Sequence, residues 1–222
     1  MLVNNTWNVL IGSLPLVGKG ALVTGYLALG SMLGALLIGL AISLGKLSSN
    51  WLLVKLLNLY VSFFRGTPLL IQLLIIYYGL TSFQITLDPL TAAYCGLILH
   101  FSAYISETLR AAISSLDKGQ WEAAYALGMR KRQVLRYIIL PQAVRVAVPP
   151  LWNSFIDVLK STSLASVVTV PELTRNIEEI SAANFVFMPL FLELAFLYWM
   201  MVLLMTRVQV WLERKWIDKT YL

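Results

Sequence analysis

Long apolar runs, broken only by short polar stretches, constrain this chain more than any other feature. A bilayer core about 30 Å thick takes roughly 20 apolar residues of helix. The sequence supplies five such runs, at about 20–45, 54–80, 90–112, 143–165 and 188–210. Composition agrees: 59% of the 222 residues are hydrophobic and 13% are charged, whereas a soluble domain carries about 25% charged residues. Mean hydropathy is +0.75. The expected fold is all-α and integral to a membrane, a single domain over residues 1–222.

An odd number of spans puts the termini on opposite sides. Lys46, Lys55, Arg110, Lys118, Arg130, Lys131, Arg132, Arg136, Arg145, Arg207, Arg214, Lys215 and Lys219 then share one side. Only Lys19 and Arg175 fall on the other. Basic residues collect in cytoplasmic loops, while acidic ones carry little weight. The C-terminus is therefore expected in the cytoplasm and the N-terminus outside. The net charge of +6 reads as loop charge rather than as a nucleic-acid surface. Residues 1–18 lack the basic start of a signal peptide, and the single cysteine, Cys95, has no internal disulfide partner.

The first run holds Gly25, Gly30, Gly34, Gly39 and Gly45. Small residues let helices approach closely in lipid. Packing within the chain is the first reading, and dimerisation the alternative.

The polar stretch 114–136 lies on the basic side. Asp117, Lys118 and Gly119 end the third apolar run. Glu122 stands near the start of a short helix, where a carboxylate suits the helix dipole. Ala123, Ala124 and Ala126 form helix readily with little bulk, and Gly128 ends or bends it. Pro141 opens the fourth span. The ordered set Glu122-Ala123-Ala124, Gly128, Ile138, Leu140 and Pro141 resembles the EAA loop of ABC importer permeases.

Further segments are similar to the polar amino acid uptake branch of that family. These are Arg65-Gly66-Thr67-Pro68-Leu69, Tyr104-x-x-Glu107-x-x-Arg110, Lys118-Gly119-Gln120-Trp121-Glu122, Pro149-Pro150-Leu151, Asn153-Ser154-Phe155, Lys160-Ser161-Thr162-Ser163-Leu164 and Val170-Pro171-Glu172-Leu173. Cystine-type and glutamine-type permeases are the nearest in kind. Ser161 departs from the pattern, since many relatives have Asp there. The resemblance implies a type I importer permease fold of five spans in the bacterial inner membrane. Its loop at 114–136 would form a coupling helix that docks on a cytoplasmic ABC ATPase. The implied partners are two such ATPases, which bind ATP and Mg, a second permease chain (identical or related) and an extracytoplasmic amino-acid-binding protein. Alternating access is the implied mechanism.

Ionisable groups inside a membrane are costly and default to functional candidates. In the second span Lys55, Asn58, Ser62, Arg65 and Gln72 are expected on one face, in a stripe about 25 Å long. Pro68 removes a helix bond, so a kink is expected there. Arg65 is also a candidate anchor for Glu107. In the third span His100, Tyr104 and Glu107 share a face, and Glu107 with Arg110 is read as a structural ion pair. In the fourth span Asn153, Asp157 and Lys160 share a face, followed by Ser161, Thr162 and Ser163. One acid, one base and hydroxyls suit the two charges of an amino acid, so this set, with Arg65 and Gln72, is the candidate substrate pathway. Mutual neutralisation of Asp157 and Lys160 remains the alternative. In 166–187, Glu172, Arg175 and Glu179 are read either as a gate or docking surface or as a solvated loop helix.

No catalytic residues are expected. Gly12-x5-Gly18-Lys19-Gly20 has one spacer too many for a phosphate loop and lacks its Ser/Thr. With one histidine and no CxxC, a metal centre is not expected. The competing function is an ion-gradient-driven secondary amino acid transporter, against which the lack of an internal repeat counts.

Overall fold

The computed structural model describes residues 2–216, and Lys219 lies outside them. Among the described residues nine α-helices run in order: α1 (Leu2–Gly45), α2 (Trp51–Gly66), α3 (Leu69–Leu74), α4 (Pro89–Ser114), α5 (Lys118–Ala126), α6 (Lys131–Val134), α7 (Leu140–Ser161), α8 (Leu173–Asn184) and α9 (Met188–Trp216). No strand occurs among the described residues.

Packing centres on α4, which lies along α1 and also touches α2, α3 and α7. Glycine makes the α1–α4 contact possible. A Cβ on Gly30 would lie 2.7 Å from the Tyr94 ring, one on Gly34 2.6 Å from Ile98, and one on Gly39 2.7 Å from Ile105. Gly30, Gly34 and Gly39 thus face a helix of the same chain, while Gly25 has open space beside it. Leu27, Ala35, Leu73, Leu97, Ile105 and Val158 fill the core between these helices.

Among the described residues three helical stretches are long and apolar enough to cross a membrane: Trp7–Gly45, Lys131–Val168 and Met188–Lys215. A bent pair, Trp51–Gly66 with Leu69–Phe83, is a fourth if it forms one span. Helix α4, at 26 residues, has the length but carries His100, Ser102, Tyr104, Ser106 and Glu107. Its central position accounts for this, because surrounding helices, rather than lipid, receive its polar groups.

The observed helices differ from the expected spans in three places. The first helix begins at Leu2, well before residue 20, and runs through Pro15 without a break. The second run is not one helix but turns through 106°. Thr67, which precedes Pro68, is extended at φ −119°, ψ 145°, as a residue before proline must be. The fourth helical stretch begins at Lys131 rather than at about 143. A π-helical turn at Leu135–Ile139 precedes Pro141 and accommodates its missing N–H.

The break at Pro68 also corrects the polar stripe. Lys55, Asn58, Ser62 and Arg65 are exposed on α2, but Gln72 is buried on α3. Its amide donates to the carbonyls of Phe64 and Thr67, each at 3.1 Å, and to the Thr67 hydroxyl at 2.7 Å. Gln72 therefore satisfies the polar groups freed by the break.

Segment 170–184 is not a solvated loop. Leu173, Asn176, Ile177 and Ser181 of α8 are buried, and α8 packs on α1, where the Leu173 backbone comes within 2.9 Å of a Cβ built on Gly20.

Candidate functional site

Helix α5 is set by its ends. Asp117 caps it by accepting from the Gly119 N–H at 2.9 Å. Gly128 closes it at φ +75°, a left-handed conformation that suits glycine. The Gly128 N–H bonds to the Tyr125 carbonyl at 2.9 Å and the Met129 N–H to the Ala124 carbonyl at 3.1 Å. This pair of bonds is a Schellman closure.

The motif residues divide by burial. Ala124 is buried with Val134 and Ile139 in a small apolar cluster that Trp121, Leu135 and Ile138 flank. Leu140 is half-buried, and Glu122, Ala123 and Pro141 are exposed. Tyr125 and Leu127 are exposed as well, Leu127 at 82%. The sequence reading missed these two; the signal was their place between Ala124 and Gly128, on the side away from the cluster. Gln120 and Gln142 exchange two hydrogen bonds, at 3.0 and 2.6 Å, which tie α5 to the first turn of α7.

Glu107 accepts from Arg110 at 2.8 Å and from Lys46 at 2.7 Å. Arg65 does not reach it. Its guanidinium lies 5.3 Å from the centre of the Tyr104 ring, in a cation–π contact. His100 bonds through Nδ1 to the Gln72 amide at 3.0 Å.

At the far end of α7, the Lys160 ammonium lies 2.7 Å from the Asp157 carboxylate, and both side chains are about half exposed (54% and 59%). Asn153 is exposed on the same helix. Thr162 is buried and donates to the Leu159 carbonyl at 2.7 Å. The Ser163 hydroxyl donates to the Lys160 carbonyl at 2.8 Å. Ser161 is half-buried where α7 passes into a 3-10 turn at Thr162–Val168. Lys160 and Ser163 line an open cleft of about 370 Å³ with Thr174, Phe191, Leu194, Ala195 and Tyr198. Asn153 and Asp157 are not among its lining residues.

Beside this cleft Glu172 is fully buried. It caps α8, accepting from the Arg175 N–H at 2.8 Å and the Thr174 N–H at 2.9 Å. It also accepts from the Tyr198 hydroxyl at 3.1 Å. Thr24 of α1 donates to it at 3.4 Å and receives the Leu173 N–H at 3.1 Å. One carboxylate thus joins α1, α8 and α9. Burial pushes its carboxyl above the usual range, against the hydrogen bonds that lower it. The exposed partners Arg175 and Glu179 pair at 2.7 Å.

A hydrophobic helical bundle with a capped polar loop helix fits a multi-pass membrane protein. A family model described as "Binding-protein-dependent transport system inner membrane component" matches residues 35–218, and the chain belongs to that family. It is 41% identical to the probable amino-acid ABC transporter permease protein PatM of Vibrio harveyi, over 97% of each chain. It is 42% identical to the L-cystine transport system permease protein TcyB of Bacillus subtilis, over 90% of this chain and 86% of that one. The glutamine transport system permease protein GlnP of Escherichia coli is 34% identical, over 94% and 96%. Among solved structures, a chain of an amino acid ABC transporter crystallised with histidines superposes with a TM-score of 0.90 at 35% identity, covering 93% of this chain and 96% of that one. An inward-facing MetNI methionine ABC transporter chain shares the fold with a TM-score of 0.78 at 20% identity, over 92% and 97%.

Proposed function

We propose that this chain is the permease subunit of an ATP-driven importer for a polar amino acid, coupled to a cytoplasmic ABC ATPase through α5. The observation that carries the reading is α5 itself. It is a short helix capped at both ends, anchored by Ala124 on one side, and it offers Glu122, Ala123, Tyr125 and Leu127 outward. Such a ridge suits a groove on a partner. Permease names among the relatives, with cystine and glutamine as cargo, support the amino acid class.

In this reading the chain crosses the bacterial inner membrane five times, with α4 as the enclosed span and the bent α2–α3 pair as one crossing. Loop 114–136 and the C-terminus lie in the cytoplasm, and α8 lies on the outer side. The chain is not itself an enzyme: ATP and Mg belong to the ATPase pair. A second permease, identical or related, and an extracytoplasmic amino-acid-binding protein complete the assembly. Glu122, Ala123, Ala124, Gly128, Ile138, Leu140 and Pro141 build the coupling element. Arg65, Asn153, Asp157, Lys160, Ser161 and Ser163 border the substrate pathway, while Gln72 and Thr162 hold its walls through their inward hydrogen bonds. Lys160 offers a cation to a substrate carboxylate, and Asp157 an anion to its ammonium. Movement is alternating access, with packed helices acting as rigid bodies.

Purification of the chain from its native membrane tests this reading. The expected outcome is a copurifying ATPase whose association is lost in Glu122→Lys. Uptake that persists without ATP hydrolysis and collapses with an ionophore would favour an ion-gradient-driven transporter instead.

A further inference from the structure

We propose that the reciprocal amide pair Gln120–Gln142 is the joint through which displacement of α5 is passed to α7. Resting on the coupling reading above, it names two positioning residues outside the EAA set.

Helix α5 is held in two different ways. Its apolar anchor, Ala124 against Val134 and Ile139, is non-directional, and such surfaces slide. The amide pair is directional. Gln120 donates to Gln142 at 3.0 Å and Gln142 donates back at 2.6 Å. The Gln142 amide nitrogen also donates to the Ile138 carbonyl at 3.0 Å. That third bond fixes which end of Gln142 is the donor, and therefore how Gln120 must face it. Among the described residues, no other side-chain hydrogen bond or ion pair joins α5 to another helix.

The two ends of the joint sit on suitable elements. Gln120 lies in the first turn of α5, away from the outward residues Tyr125 and Leu127. Gln142 lies in the first turn of α7, just after the π turn and Pro141. A π turn interrupts the regular ladder, so α7 is free to tilt about it. From Gln142 the helix runs to Lys160, 18 residues on, about 27 Å at helical rise. A push on α5 would therefore be delivered as a tilt at the Asp157–Lys160 end.

The test uses the chain purified with its ATPase in liposomes, on a Cys95→Ser background with Val167→Cys as a reporter. Val167 is exposed just beyond the far end of α7. The readout is the thiol labelling rate with and without ATP and vanadate. The parent is expected to show a nucleotide-dependent change. Gln120→Leu and Gln142→Leu are expected to keep the ATPase bound and hydrolysing, while the nucleotide-dependent change falls about tenfold, as the loss of two modest hydrogen bonds allows. Gln120→Glu with Gln142→Lys, which replaces the amide pair by an ion pair, is expected to restore it. A parent-like response in both leucine variants would overturn the proposal, as would a parent with no response at all. Failure of the double variant to rescue would reduce the pair to a packing contact and overturn it as well. A parent chain that binds no ATPase would sink the coupling reading itself, an outcome visible before any variant is made.

Discussion

The ammonium of Lys46, at the end of α1, lies 2.7 Å from the carboxylate of Glu107 in α4, and the Lys46 side chain is only 8% exposed. The pair staples the two most closely packed helices at the loop end of the bundle. Arg110 completes a three-charge network from the exposed side.

Removing one partner leaves the other charge enclosed, which costs more than the pair itself contributes. Glu107→Gln is expected to destabilise the detergent-solubilised protein by about 3–5 kcal/mol. Arg110→Gln, at a half-exposed site, is expected to cost under about 1 kcal/mol. Thermal unfolding midpoints of the two variants decide the order.

Gly20 and Gly34 make a second comparison. A Cβ at Gly34 meets only side-chain atoms of Ile98, Cδ1 at 2.6 Å and Cγ1 at 2.9 Å, which can shift by repacking. One at Gly20 meets the backbone of Leu173 at 2.9 Å, which cannot. Gly20→Ala is expected to cost about 1–3 kcal/mol, as overpacking does, and Gly34→Ala less. Hydrogen exchange should localise the Gly20 effect to α8.

At Gly128 the positive φ penalises any Cβ. Gly128→Ala is expected to cost about 1–2 kcal/mol locally and to loosen the closure of α5. Gly128→Asn is expected to be milder, since Asn tolerates this conformation. Copurification of the ATPase should follow the same order, and equal retention in both variants would argue against a role for this closure in docking.

Glu172 gives a pH signature. Its carboxyl is raised by burial, so the folded state binds the proton more tightly than the unfolded one. Stability from this group is fully present below the unfolded value of about 4.3. It is lost as pH rises through the raised folded value. The wild-type unfolding midpoint is expected to fall across that window, and Glu172→Gln to flatten the slope. An unchanged slope would show that other groups set it.

Lys160→Ala is expected to reduce uptake to background while assembly and basal ATPase activity persist. Loss of assembly in that variant would make the Asp157–Lys160 pair structural.

Much of this was legible in the chain itself. Apolar length gave the helices, and Gly128 gave the end of α5, whereas the Asp117 cap at its start emerged only with the structure. The Pro68 break was readable as a kink but not as a 106° turn. Nothing local to Gln72 announced that its amide would cap that turn. By sequence Arg65 is a candidate anchor for Glu107, yet Arg65 lies over Tyr104 while Lys46 reaches Glu107 from another helix. Periodicity places residues on a face but is silent about which helix the face meets.

The sequence alone determined the helical class, the membrane-length runs and the EAA-like loop motif, because each depends on local composition and on residues within one or two turns. Tertiary structure decided what joins distant segments. It placed Glu172 under α1 and α9, Gln120 against Gln142, and α8 in the groove at Gly20. Such contacts depend on where separate helices cross, and buried polar groups must find partners there or bear the cost of leaving water.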